Sequence, residues 1–399
     1  MSLLPLYKIP LPTAQEPQFS IEKWEEAVEL YNNGKHRESA IKVLEYLNKD
    51  LLKGKNLDKD IHINKIHGLV EVTIDINRQN FSIETKLVDI DKDCNKIALL
   101  RKVAELNFHY NNLAYLVYEN NKIYYKYIEP LELCEPNKLY HTIRDIVFSS
   151  DKYANEFIEY YNAKPIDSFK KKRLNSNDEK EALSQIKDYL NEYSQYVEYF
   201  TTHNLENYIW DISVITLIKL SNMTYLNGIF RDELMIHISA LYDDELNFGY
   251  RIDVAKKYIN SLQKIDINKF KDALYYREDI FSMLMYPNNY NIHKKLKDYE
   301  ETLNKYQNEG NHFAISYYLM ELFLNLIYRY NLNKKHKKLI HKTLLQTSKA
   351  NTKDASKELI KLYNKLQNIN FEENSKTSLF ETLIDYWWVL ILIYIIFSR

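Results

Sequence analysis

Hydrophobic positions near the start of the chain recur with a helical period. They fall at Trp24, Ala27, Val28 and Tyr31, then at Ala40, Val43, Leu44 and Leu47, the spacing of one helix face on each side of a break. Asn33-Gly34 occupies that break, and glycine tolerates the left-handed geometry that closes a helix. The pattern predicts a helical hairpin over residues 18–55. Between 60 and 165 the period drops to two. LVEVTIDI (69–76) alternates apolar and polar, and a turn at 77–79 leads into FSIETKLVDI, with Phe81, Ile83, Thr85 and Leu87 on one face; this predicts a β-hairpin. KIALLRKVAELNF returns to helical spacing through Leu99, Leu100, Val103, Ala104 and Leu106. A second hairpin pairs LAYLVYE with KIYYKYI around Asn120-Asn121, residues that tolerate the positive φ of a tight turn. Pro136 suits the first turn of a helix, and a further helix is expected over 151–161.

Residues 166–180 are polar and aperiodic, which predicts a linker. From 181 to 370 the pattern is helix after helix, and IWDISVITLIKL, RDELMIHISALY and FAISYYLMELFLNLIYRY are apolar enough for interior helices. The expected fold class is therefore α+β: a small antiparallel-sheet domain over 60–165, followed by a large all-α domain over 181–370. A leader over 1–17 carries Pro5, Pro10, Pro12 and Pro17, which interrupt the apolar run that a signal peptide needs.

At 379–399 the pattern changes again. Residues 386–398 carry no charge but reach only about 20 Å as a helix, short of the roughly 30 Å hydrocarbon layer. Starting at Leu379 supplies the length and includes Glu381 and Asp385, which would then sit at headgroup level. Tyr386, Trp387 and Trp388 stand where interfacial aromatic belts form, and Arg399 at the far end; these four are the expected membrane-binding residues. The opposing expectation is a buried core element, because VLILIYIIF is β-branched enough for an interior strand.

Composition narrows the class. With 45% hydrophobic and 27% charged residues the chain is globular rather than disordered. Only 6 Gly and 8 Pro in 399 residues favour long helices. The abundance of Lys, Asn, Ile and Tyr suggests an AT-rich, bacterial coding genome. Two cysteines, Cys94 and Cys134, make neither a disulfide framework nor a zinc spacing, so a reducing cytoplasm is expected. Net charge is −1, with 54 basic and 55 acidic residues, yet residues 329–365 hold 11 basic against 2 acidic ones, a local +9. Within them Lys349, Lys353, Lys357, Lys361 and Lys365 recur every fourth residue, and those that share a helix make one broad basic face; Lys357, Lys361 and Lys365 are expected to share one, with Asp354 near its start, and a merely solvated face is the alternative. Such a face attracts anionic lipid or nucleic-acid phosphates; without a nucleic-acid motif, lipid is the favoured partner.

No catalytic, cofactor-binding or metal-binding residues are expected. The eleven histidines show no HExxH or Cys/His cluster. His336 and His341 sit among lysines, a poor place for a cation, and His237 precedes Asp243, Asp244 and Glu245 as a helix precedes a solvated loop. DIDKDCN (Asp89, Asp91, Asp93, Asn95) opens like a calcium loop, but Cys94 replaces the turn glycine and Leu100 the bidentate glutamate. It is expected to be a strand-to-helix loop, with Asp93 or Asn95 as the cap.

LLRKVAELNF ahead of the second hairpin and PLELCEPNKLYHTIRDIV behind it resemble the type III secretion chaperone-like fold, including its YbjN-type relatives. Residues 95–163 carry the resemblance, within the domain at 60–165. It implies binding of protein segments and brings no catalytic residues with it. The hairpin at 18–55 resembles a single tetratricopeptide unit, with Ala27, Leu30, Gly34 and Ser39 near the small and apolar positions of that pattern. Together these features predict a non-enzymatic protein-binding adaptor or chaperone-like protein, with a cytoplasmic body anchored to the inner membrane by its tail. The alternative is a soluble helical scaffold or nucleic-acid binder whose tail is buried.

Overall fold

The first two helical-period stretches form α1 (Glu22–Asn32) and α2 (His36–Leu47) in the computed structural model, which describes residues 3–11, 17–109 and 113–371. Ala27 and Ala40 are fully buried, and the Ser39 hydroxyl donates to the Ala27 carbonyl at 2.7 Å. Small residues at these positions let the two helices approach. Gly34, at φ +74°, closes α1.

The strands follow as β1 (Ile61–His67), β2 (Val70–Ile76) and β3 (Asn80–Asp89), then α3 (Lys96–His109), β4 (Tyr115–Glu119), β5 (Lys122–Pro130), a 3-10 turn and α4 (Pro136–Tyr161). They pair antiparallel in the order β1-β2-β3-β5-β4, and the two-residue β6 (Lys164–Pro165) adds to β3. In β2, Val70, Val72, Ile74 and Ile76 are all buried, the period-two face that the sequence shows. Asn120 and Asn121, at φ 51° and 57°, make the tight turn between β4 and β5.

One 26-residue helix, α4, spans the region where two were expected. Ser149-Ser150 does not interrupt it, because the buried Ser150 hydroxyl pairs with Thr85 Oγ1 at 2.6 Å and does not compete for the backbone. Leu139, Ile143, Ile146, Val147, Ala154 and Phe157 on α4 are buried and cover the sheet. At the edge strand β4, the Asn107 amide donates to Leu116 O and accepts from Leu116 N–H. It stands in for a neighbouring strand and blunts the edge.

Beyond β7 (Lys172–Arg173) come α5 (Ser176–Thr202), α6 (Tyr208–Ser221), α7 (Ile229–Leu241), α8 (Phe248–Leu262), α9 (Ile267–Ala273) and β8 (Tyr275–Tyr276). The polar stretch 166–180 does not separate two bodies. Ile166 and Leu174 are buried, β7 pairs with β8, and residues 10–285 form one compact unit. The expected all-α region is thus shared between two units and divides at 285/286.

A strap at 275–283 ties the first unit together. Asn227 donates to Tyr275 O at 2.8 Å, Asn48 to Ile280 O at 2.7 Å and Arg144 to Met283 O at 3.2 Å. At its centre the buried Arg277 guanidinium donates to Asp151 Oδ2 at 2.5 Å and to Asp279 Oδ1 at 2.6 Å, and its Nη2 lies 3.2 Å from His67 Nε2. The other Asp151 oxygen accepts from Leu69 N–H at 2.8 Å, and Gly68 N–H donates to Glu278 O at 2.8 Å. One guanidinium therefore fastens the β1–β2 turn and α4 to the strap.

In the second unit, residues 286–371 form α10 (Asn289–Asp298), α11 (Glu300–Asn308), α12 (His312–Arg329), α13 (Lys334–Thr347) and α14 (Thr352–Leu366). α12 is buried along most of its length. Its polar side chains form a ladder: Tyr299 Oη donates to Glu321, Asn325 to Glu321 at 2.8 Å and Arg329 to Asn325 at 2.7 Å. Residues 3–9 join this unit. Leu4 exchanges backbone hydrogen bonds with the 349–350 turn, and Tyr7 N–H donates to Ser348 Oγ at 2.8 Å.

Among the described residues, no helix is long and apolar enough to cross a membrane. The tail at 379–399, with Tyr386, Trp387, Trp388 and Arg399, lies outside the described residues.

Gly68 sits at φ +58°, and a Cβ there would meet the Asp151 carboxylate and, at 2.7 Å, Arg277 Nη1. Gly54, at φ +80°, has nothing within 4 Å of its Cβ position. Gly68→Ala should therefore lose at least about 2 kcal/mol in urea unfolding. Gly54→Ala should lose only the backbone share, about 1 kcal/mol.

Candidate functional site

The Asn333 side chain accepts from His336 N–H at 2.9 Å, which caps α13 and sets its rotation. From that start Lys335, Lys338, Leu339 and Lys342 stand at i, i+3, i+4 and i+7, one stripe of the helix. The opposite side, through Ile340 and Leu344, is buried. α14 ends with Lys365 facing the same space, and the chain then turns through Asn368, Ile369 and Asn370. Between them lies a cavity of about 510 Å³ with four lysines in its wall.

The far wall is held firmly. His293 Nε2 lies 3.1 Å from Ile369 O, and the Asn289 amide pairs with Asn370 Oδ1 at 2.8 Å and with Phe371 N–H at 2.7 Å. The buried Phe371 ring packs between His336 and His293, at centroid distances of 5.0 and 5.7 Å.

Among the described residues no carboxylate lines this cavity. Lys335, Lys338, Lys342 and Lys365 have no acidic partner among the described residues. Ammonium groups gathered in a concave, partly apolar wall reinforce one another's field, so the cavity suits an anion.

The lysine comb seen in the sequence is placed differently. Lys353, Lys357, Lys361 and Lys365 lie on α14, whereas Lys349 sits in the preceding turn at φ +59°. Lys357 pairs with Asp354 at 3.7 Å and Lys361 with Glu358 at 2.6 Å. Of the five, only Lys365 reaches the cavity. The other three lysines there were legible in KKHKKLIHK as an i, i+3, i+7 stripe, which the four-residue comb overshadowed.

A second charged cluster lies in the other unit, at the first turn of α7. Asn155 donates to Asp232 Oδ2 at 2.8 Å. Burial, reinforced by the nearby Asp151 carboxylate, pushes Asp232 up to about 7. Burial, and then Arg277, lower the neighbouring Arg231. Burial also brings His67 down to about 4, so it is neutral, and its two ring nitrogens face Arg277 Nη2 and Ile280 N–H at 3.2 Å each. Asp151 and Asp279 are below the ordinary carboxylate range: burial opposes this, but Arg277 outweighs it. These groups are occupied with one another and act as a staple.

The other sequence candidates are dispersed. The His237 ring stacks on Tyr258 at 3.9 Å, and Asp243, Asp244 and Glu245 lie in the loop beyond α7. Burial pushes the Cys134 thiol up to about 12 and raises Cys94, which disfavours a thiolate nucleophile. Asp91 pairs with Lys164 at 2.5 Å, and Asn95 caps α3 by accepting from Ala98 N–H at 3.3 Å. Among the described residues no three His, Cys, Asp or Glu side chains gather as a metal site.

Because the folded state holds the Asp232 proton up to about 7 while an unfolded carboxyl releases it near 3.8, ionisation of Asp232 removes stability as pH rises between those values. Asp232→Asn should gain on the parent over that window, by at most about 1.4 kcal/mol per pH unit, and by nothing further above pH 8. Urea unfolding of both proteins across the pH range measures the difference.

No protein-family model matches this sequence, and no curated protein matches it.

Proposed function

We propose that this chain is a non-enzymatic adaptor. It binds another protein through its first 165 residues, as the resemblance to chaperone-like domains implies, and its 286–371 unit is drawn to an anionic membrane surface. The observation that carries the reading is the set of four lysines, on α13 and at the end of α14, with no acid among the described residues lining their cavity. Near an anionic surface each basic residue contributes on the order of 1 kcal/mol. The order α3-β4-β5-α4 supports the protein-binding half. The tail at 379–399 would add apolar anchorage to a cytoplasmic body, with the anionic inner leaflet of a bacterial membrane as the natural surface.

The test is sedimentation of the full chain with vesicles. It should sediment with mixed phosphatidylcholine–phosphatidylserine vesicles and much less with phosphatidylcholine alone. Raising salt from about 0.1 M to about 1 M shortens the screening length from about 10 to 3 Å and should weaken the binding. Removing 379–399 should release most of the remainder. A full chain that stays in the supernatant at low salt, whatever the vesicles, overturns the reading; so does salt-sensitive binding to single-stranded DNA without any to vesicles.

A further inference from the structure

We infer that the cavity between α13 and the end of α14 is a discrete site for a compact, multiply phosphorylated ligand that carries no nucleobase. The inference rests on the anion-binding reading of the same lysines and goes further, because it assigns a ligand class.

Volume is the first argument. At about 510 Å³ the cavity falls in the range of small-molecule sites, about 300–1,000 Å³, far more than one phosphate needs. Spacing is the second. Lys335 and Lys342 are seven residues apart, about 10 Å along the helix axis, and Lys365 approaches from the other helix. No single phosphate touches all of them, whereas two or three phosphates on a small carrier do.

Chemistry narrows the class. All the cations are lysines, compact charges with rotatable donors that suit separate phosphate oxygens. Among the described residues no carboxylate enters the wall, so the lysines themselves meet the charge of the phosphates. Leu339 and Ile369 offer an apolar surface to a small carbon ring, and the Asn368 and Asn370 amides border it. Among the described residues the wall holds one aromatic ring, His336, which is buried and packed on Phe371. A base would have no open face on which to stack. A phosphorylated cyclic polyol meets all these conditions, whether free in solution or carried as a lipid headgroup.

The test uses the full chain and inositol hexakisphosphate as the soluble probe, followed by calorimetry. One saturable site is expected, with inorganic phosphate at least about tenfold weaker. Lys338→Ala/Lys342→Ala should weaken binding about 25-fold, roughly fivefold per lysine. Lys353→Ala/Lys357→Ala, on α14 outside the cavity, should change it less than about twofold. Both pairs are exposed helix positions where alanine is a good helix former, and circular dichroism verifies the fold. Absence of saturable binding, or equal weakening by the two double variants, overturns the site.

Vesicles of phosphatidylcholine doped with phosphatidylinositol bisphosphate distinguish the sources. Vesicle binding that the soluble probe displaces supports a lipid-borne ligand; soluble binding that doped vesicles do not compete supports a free one. Binding to phosphatidylserine vesicles with no binding of the soluble probe overturns the cavity site and leaves the surface reading intact. The reverse pattern overturns the surface reading alone.

Discussion

A single buried guanidinium ties the strap at 275–283 to the sheet and to α4. Arg277 joins carboxylates from two separate places in the sequence, Asp151 on α4 and Asp279 on its own strap, and also meets His67 at the β1–β2 turn. Desolvating such a group is costly, and the geometry must return that cost. Here each partner is itself fixed: Asp151 by Leu69 N–H, and His67 by Ile280 N–H. Replacing Arg277 alone would leave the buried Asp151 without its ion-pair partner, the situation that destabilises by about 3–5 kcal/mol. The arrangement also explains why Gly68 has to be a glycine. The turn must come close enough for its backbone to bond Glu278, and that distance leaves no room for a side chain.

The same network sets which parts of the chain belong together. A polar, aperiodic stretch ordinarily marks a boundary, and 166–180 has that composition. Long-range polar contacts override it. The strap at 275–283 returns to α2, α4 and the 225–227 turn, so α5–α9 and the sheet share one unit. Composition cannot reveal this, because Arg277, Asp151 and His67 lie up to 210 positions apart and each is an ordinary polar residue in its own neighbourhood.

What was legible follows from local physics. The period-two runs at 69–76 and 81–90, the Asn120-Asn121 turn and the Gly34 closure are decided by residues adjacent in the chain, and each stands where the pattern placed it. The division of α4 into two helices was a misreading: one helix runs through Ser149-Ser150, with the Ser150 hydroxyl paired to Thr85. The basic region was legible as a charge count. Its geometry was not: Asp354 and Glu358 compensate two lysines of the obvious comb, while Lys335, Lys338 and Lys342 meet Lys365 only after α13 and α14 pack.

The attachment of residues 3–9 to the turn between α13 and α14 has a consequence in time. Leu4 and Tyr7 are buried against partners near 341–350, so they cannot reach their places until those residues exist. At about 5–20 residues per second of synthesis, that interval is on the order of 15–70 s. During it an apolar segment, LLPLY, waits ahead of the 276 residues of the other compact unit, which are made before its partners. Closing so long a loop adds little entropy beyond closing a shorter one, so the final contact is thermodynamically cheap and kinetically late. Completion of the basic unit thus reports that translation has passed residue 350, and the lysine cavity is assembled only once residue 370 has been made.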